Sequence, residues 1–353
     1  MNPPKSLATM KQWFDERFPL DWDIVRDFGS EPVPYHLRRW WWCLGGTPAY
    51  LFLVMAVTGV LMTFYYVPEP QHAYDSVQKI TEQVPFGWYF RSLHRWAANL
   101  MIIAVALHVM RGFFTGAFRT PREFTWMTGC GLLFVVLSFG FTGYSLVYEQ
   151  LSYWGQTVAA NLTETVPIIG PHMARLMRGG ETVGDNTLTR LYVMHIALLP
   201  CAITGLLFLH FMLIRLHGVT PDRFEGEPEG KTYPFFPDHF LTELIIGVGV
   251  IFVLTCLACI FPVQMGPRAN PLVTPEHIKP EWYFFFTFRW LKLTGLTFAV
   301  LSLGFGGFML VIWPFVDAAI RKVRPNSEAS IFIGILGFLA LLGLTLWEVL
   351  AVH

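Results

Sequence analysis

Seven runs of about 20 apolar residues govern what this chain can fold into. They lie at about 47–68, 90–113, 124–147, 188–216, 239–262, 295–318 and 329–351. A bilayer core needs roughly 20 helical residues to cross it, and lipid leaves a helix as the simplest way to satisfy a spanning backbone. The predicted fold is therefore an all-α integral membrane protein, a four-helix bundle followed by three further transmembrane helices. Only 14% of the 353 residues are charged, against about 25% in soluble domains. The net charge is zero, which gives no electrostatic reason to expect nucleic acid. Five cysteines are too few, and too apolar in context, for a secreted disulfide scaffold.

The shorter features organise the rest. Residues 1–46 have no signal-peptide pattern, and "MKQWFDERFPLDWDIV" reads as an amphipathic segment on the membrane surface. Residues 47–217 form the front part and 218–353 the rear part. The run "PEWYFFFTFRWLKL" (280–293) is too short and too charged to span, so it is expected at the membrane surface. Arg111, Arg119 and Arg122 follow the second span, and Arg321, Lys322 and Arg324 follow the sixth. Positive loops stay cytoplasmic, so the N-terminus is expected in the cytoplasm, with spans two and four parallel.

Those two parallel spans each carry two histidines. His94 and His108 are 14 residues apart, and His195 and His210 are 15. Four turns of helix take about 14.4 residues, so each pair shares a face, with its members roughly 21 Å apart along the axis. If the two spans face each other, His94 meets His195 near the outer surface and His108 meets His210 near the inner one. Two neutral imidazoles at each level suit a six-coordinate heme iron. A single membrane histidine can simply bond a neighbouring helix. Two matched pairs on parallel helices are better explained by two bis-histidine b-type hemes, because ionisable groups at membrane depth are costly and usually functional. Gly45 and Gly59, and Gly129 and Gly143, repeat the 14-residue interval on spans one and three. They would let a macrocycle approach the backbone, or equally let helices pack closely. Arg91, Arg95, Arg111 and Arg215 lie beside the histidine levels, as counter-charges for heme propionates or as snorkelling side chains.

These residues resemble cytochrome b of the quinol-oxidising Rieske/cytochrome b complexes. "RSLHRWAANL", "TWMTG", "FGFTGYSL", "VGDNTLTRLY" and "HFMLIRLHG" are similar to its front part, and "TPEHIKPEWYFFFTFRWL" to its rear part. The 15-residue spacing and "CLGG" (43–46) resemble the chloroplast-type branch, in which front and rear are commonly separate chains. The resemblance implies an outer quinol-oxidising site. One electron would pass to a mobile Rieske iron–sulfur subunit and on to a c-type cytochrome or similar acceptor. The other would cross through both hemes to an inner quinone, contributing to proton-motive force. It also implies a homodimer within a larger complex and, for a fused chain, a bacterial plasma membrane.

Glu281, in the Pro-Glu-Trp-Tyr motif, is expected to have a raised pKa in its apolar loop and to accept a quinol proton, with Tyr283 and Tyr144 lining the same pocket. The alternative pairs Glu281 with Lys279 or Arg289. Val147, Tyr148 and Glu149 depart from the family's Pro-Trp-Asp-like pattern, which puts the pocket's detailed shape in doubt. In the chloroplast-type branch, the cysteine matching Cys43 carries a third heme through one thioether bond. A membrane diheme anchor of a dehydrogenase or hydrogenase is the competing function, and a heme carrier or membrane scaffold without redox turnover is a second. The first gives no reason for the Pro-Glu-Trp-Tyr loop or the rear three helices, and the second predicts exchangeable or absent heme that quinol does not reduce.

Overall fold

The computed structural model describes residues 12, 29–30, 32–38, 45–220, 231–276 and 278–351. Cys43 and most of the N-terminal amphipathic stretch lie outside the described residues. Two compact units are present. The first, Met1–Cys43 with Pro221–Val248, contains a short antiparallel pair, β1 (Pro32–Pro34) and β2 (Thr232–Pro234), with Val33 opposite Tyr233. Tyr233 hydrogen-bonds His239 Nδ1 at 2.8 Å within this unit.

The described helices are α1 (Gly46–Thr63), α2 (Ala73–Glu82), α3 (Gly87–Phe114), α4 (Glu123–Ser145), α5 (Gln150–Glu164), α6 (Gly170–Arg178), α7 (Asp185–His217), α8 (Phe240–Ile260), α9 (Phe285–Leu293), α10 (Leu296–Val323) and α11 (Ala329–Leu350). Among them, α1, α3, α4, α7, α8, α10 and α11 are long and apolar enough to cross a membrane. All seven expected spans are present, with shifted ends. α1 stops at Thr63, short of Pro68, since proline disfavours helix in the residue before it. α10 continues through Pro314 to Val323. Trp313 packs on Phe113 there, and Arg321 and Lys322 complement the helix C-terminus. The 280–293 stretch forms a 3-10 turn (Trp282–Phe284) and the short helix α9. The short helices α2, α5 and α6 were not expected, because each is an amphipathic piece of a connection too short to show a long apolar stripe.

Within the second unit, Leu44–Thr220 with Gly249–His353, α1 packs along α3 and α4 along α7. The histidine-bearing helices α3 and α7 make little direct backbone approach to one another. The shared apolar core includes Leu51, Leu93, Ala97, Met101, Val136, Ile203, Leu254 and Tyr283.

Buried charges fasten the rear helices. Glu348, fully buried on α11, takes Lys292 at 3.2 Å and Arg289 at 3.5 Å, while Lys279 donates to the carbonyls of Glu348 and Ala351. The Arg289 guanidinium lies over the Trp347 ring at 4.1 Å. Buried Asp317 on α10 pairs with Arg119 at 3.0 Å and Arg321 at 3.2 Å and accepts the Ser330 hydroxyl. Removing Glu348 strands the largely buried Arg289 without its counter-charge, at a cost of about 3–5 kcal/mol. Glu348→Ala is therefore expected to lower the thermal unfolding midpoint of the detergent-solubilised protein far more than Glu328→Ala at the exposed start of α11. Differential scanning fluorimetry on the two variants checks this.

Candidate functional site

The four histidines stand where the helical period places them, but α7 needs a local adjustment. Met194–Leu198 forms a π turn, closed by the Leu199 N–H donating to Met194 O. A π turn takes up one extra residue. It accommodates the 15-residue interval between His195 and His210 against the 14 between His94 and His108. Pro200, which has no N–H to donate, lies directly after it.

Each histidine is seated against a glycine of the neighbouring helix. A Cβ on Gly59 would lie 3.2 Å from Cε1 of His94, and one on Gly45 3.6 Å from Cε1 of His108. On α4, a Cβ at Gly143 would come within 2.9 Å of Cε1 of His195, and one at Gly129 within 3.3 Å of His210. At Gly59, Gly129 and Gly143 the glycine therefore has a direct cause: it admits the imidazole ring, whereas the approach at Gly45 is ordinary van der Waals contact.

Three threonines complete the seats. Thr58 Oγ1 lies 3.0 Å from His94 Nδ1, Thr142 Oγ1 2.9 Å from His195 Nδ1, and Thr128 Oγ1 3.0 Å from His210 Nδ1. Each hydroxyl has one proton, and it goes to a carbonyl of its own helix: Val54 at 2.7 Å, Ser138 at 2.8 Å and Thr125 at 2.9 Å. Each hydroxyl must then accept from the imidazole, so the proton sits on Nδ1 and the Nε2 lone pair is left for a metal. These threonines were missed in the sequence, although the repeated Thr-Gly pair at 58–59, 128–129 and 142–143 was there to find.

The rings of His94 and His195 have centroids 6.3 Å apart. One metal ion held about 2 Å from each Nε2 places two such centroids roughly 6 Å apart. His108 and His210 lie within electrostatic reach of each other at the second level. Among the described residues, no group of three or more His, Cys, Asp or Glu side chains could hold a metal ion. Each level thus offers two protein ligands, and an iron there would draw its remaining ligands from a macrocycle.

A second cluster adjoins the first level. Arg95, the residue after His94, donates from Nη2 to Glu281 Oε1 at 2.5 Å. Glu281 is buried, so this cation is the counter-charge it needs. The alternative partners are excluded: Lys279 and Arg289 are committed to the Glu348 group. Tyr144 and Tyr283 are buried within electrostatic reach of the pair. Burial, with the Glu281 carboxylate nearby, pushes the Tyr283 phenol well above its ordinary pKa, leaving it a neutral group. Gly140 admits the Tyr283 hydroxyl, and Gly155 of α5 admits that of Tyr144.

Arg91 is buried and donates to the carbonyls of Val263 and Gln264 at 2.8 and 3.3 Å, so it anchors the loop after α8. Arg111 lies one turn past His108, and Arg215 lies in the last turn of α7. Of the departing residues Val147, Tyr148 and Glu149, the last two are tied to that same loop. Glu149 accepts the Gly266 N–H at 2.6 Å, and Tyr148 O accepts that of Ala269 at 3.3 Å.

A membrane bundle with two stacked imidazole pairs and a buried carboxylate beside one of them is a membrane cytochrome in its architecture. Residues 28–218 match the family model described as Cytochrome b/b6/petB, and 268–349 match Cytochrome b(C-terminal)/b6/petD. The chain belongs to the cytochrome b/b6 family, which implies b-type hemes, and it is an integral membrane protein. Cytochrome b6 of Heliobacterium modesticaldum is 44% identical over 208 residues, covering 59% of this chain and 98% of that protein. The cytochrome bc complex cytochrome b subunit of Chlorobaculum thiosulfatiphilum is 35% identical over 335 residues, covering 93% of this chain and 78% of that one. A chain of a hyperthermophilic respiratory Complex III superposes with a TM-score of 0.83 at 26% identity, covering 97% of this chain and 92% of that chain. Both family segments in one polypeptide agree with the front and rear resemblance and leave no role for the dehydrogenase-anchor alternative.

The glycine seats predict a selective lesion. Gly143→Val forces branched carbons into the 2.9 Å approach to His195 and displaces that ring. The reduced-minus-oxidised heme absorbance of the purified protein should fall, whereas Gly249→Val, where nothing lies within 4 Å of a Cβ, should leave it unchanged.

Proposed function

We propose that the chain is the cytochrome b subunit of a bc-type complex that oxidises quinol at the Arg95–Glu281 cluster and carries one of its two electrons across the membrane to a quinone near the opposite surface. The single observation that supports this most is the seating of four imidazoles in two levels, one of which adjoins a buried, paired carboxylate. Two b hemes, one on His94 and His195 and the other on His108 and His210, would supply one-electron carriers at two depths. Oxidation of a quinol releases two electrons and two protons. Glu281 accepts one proton, and its rotation away from Arg95 releases it, while the other proton leaves with the electron that goes to the iron–sulfur subunit. Arg95 holds the carboxylate in place beforehand, and the neutral phenols of Tyr283 and Tyr144 wall the pocket without adding charge. The electron that does not enter the membrane path goes to a Rieske iron–sulfur subunit and then to a c-type cytochrome or similar acceptor.

The remaining assignments complete the reading. Residues 47–217 are the heme-binding part and 218–353 the part carrying the quinol-site loop. Arg111 and Arg215 are retained as partners of heme propionates. The third heme on Cys43 rests on the "CLGG" motif alone. The chain forms a homodimer in a bacterial plasma membrane, with its N-terminus in the cytoplasm.

A pyridine hemochrome assay with heme staining of a denaturing gel tests the cofactors. Two extractable hemes are expected, with one more retained on the chain and lost in Cys43→Ala. His94→Leu and His108→Leu should each remove one extractable heme, and absence of stoichiometric heme from the purified protein overturns the proposal. Within the assembled complex, Glu281→Gln should slow quinol oxidation on the order of a hundredfold with the heme spectrum intact.

A further inference from the structure

The threonine seats are shared unevenly between the two levels. Both imidazoles of the first level are backed, His94 by Thr58 and His195 by Thr142. At the second level Thr128 backs His210, but the Nδ1 of His108 is buried and has no hydrogen-bond partner among the described residues. The sequence carries the same asymmetry. Gly59, Gly129 and Gly143 each follow a threonine, whereas Gly45 follows Leu44, which has no hydroxyl and lies outside the described residues.

We infer that Thr58, Thr142 and Thr128 are positioning residues that lower the reduction potential of the heme site each one backs. The inference rests on the bis-histidine reading above. An acceptor on Nδ1–H draws the ring proton outward and makes Nε2 a stronger donor to iron, which favours the ferric state. Hydrogen bonding around the ligands is one of the few levers a protein has on such a potential. Here it acts twice at the first level and once at the second. With other influences equal, the first site is the weaker oxidant, and an electron placed there moves spontaneously to the second. The same bonds hold the tautomer that presents Nε2, so they would orient the ligand before the macrocycle arrives. Replacing a threonine hydroxyl with a methyl changes neither net charge nor side-chain shape appreciably, so the variants isolate this lever from nearby arginines.

Optical redox titration of the purified holoprotein is the test, with Thr58→Val, Thr142→Val and Thr128→Val compared with wild type. Thr58→Val and Thr142→Val should each shift the same midpoint upward, and Thr128→Val should shift the other. Thr58→Ser, which keeps the hydroxyl, should titrate as wild type, and the low-spin electron paramagnetic resonance signal of the affected heme should move with its midpoint. If Thr58→Val does not assemble, Thr142→Val reads the same midpoint. Unmoved midpoints with both hemes still bound overturn the inference and leave the bis-histidine reading intact. Retention of both hemes in His94→Leu overturns that reading instead.

Discussion

The structure depends on what becomes of an imidazole carried into the bilayer. Its ring has two nitrogens, and leaving one unsatisfied in an apolar interior costs on the order of 1–3 kcal/mol. For His94, His195 and His210 the helix opposite meets that demand by pairing a threonine with a glycine. The glycine gives the ring room, and the threonine, whose own proton is spent on its helix, accepts Nδ1–H. The Nε2 lone pair is then left free for a metal. These seats couple α1 to α3 and α4 to α7, whereas α3 and α7 make little direct backbone approach.

Charge follows the same rule at the ends of the spans. Glu281, Glu348 and Asp317 are buried, and each has a basic side chain brought to it from a distant stretch of chain. The three differ in what their partners can do. Glu348 and Asp317 are each held by two cations and join helices, which suits them to a structural role. Among the described residues Glu281 pairs with Arg95 alone, in a loop, beside the first histidine level. A carboxylate with a single partner on a short loop can exchange that partner for a proton, and the other two cannot do so without stranding two cations.

Much of this was legible in the residues. The seven spans follow from apolar length, and the shared histidine faces follow from a period of 3.6 residues, which any helix of L-residues must obey. The π turn was not legible, because the 15-residue interval fits an unbroken helix nearly as well as a bulged one. Arg91 and Arg95 were recognised as placed near the histidines, and only the structure shows that Arg91 donates to the carbonyls of Val263 and Gln264 and Arg95 to the carboxylate of Glu281. Arg95 and Glu281 are separated by 186 positions, and nothing local marks them as partners.

The sequence by itself determined that the chain is a membrane bundle, that four imidazoles fall into two levels, and that its motifs are those of a cytochrome b. The first two rest on composition or on a local period, which are properties of a stretch read in isolation, and the third on resemblance to a known family. Only the tertiary structure decided which hydroxyls seat which rings and which cation neutralises which carboxylate. Those outcomes depend on the rotation and register of one helix against another. Those are set by the packing of many side chains at once, and no single stretch of the sequence records them.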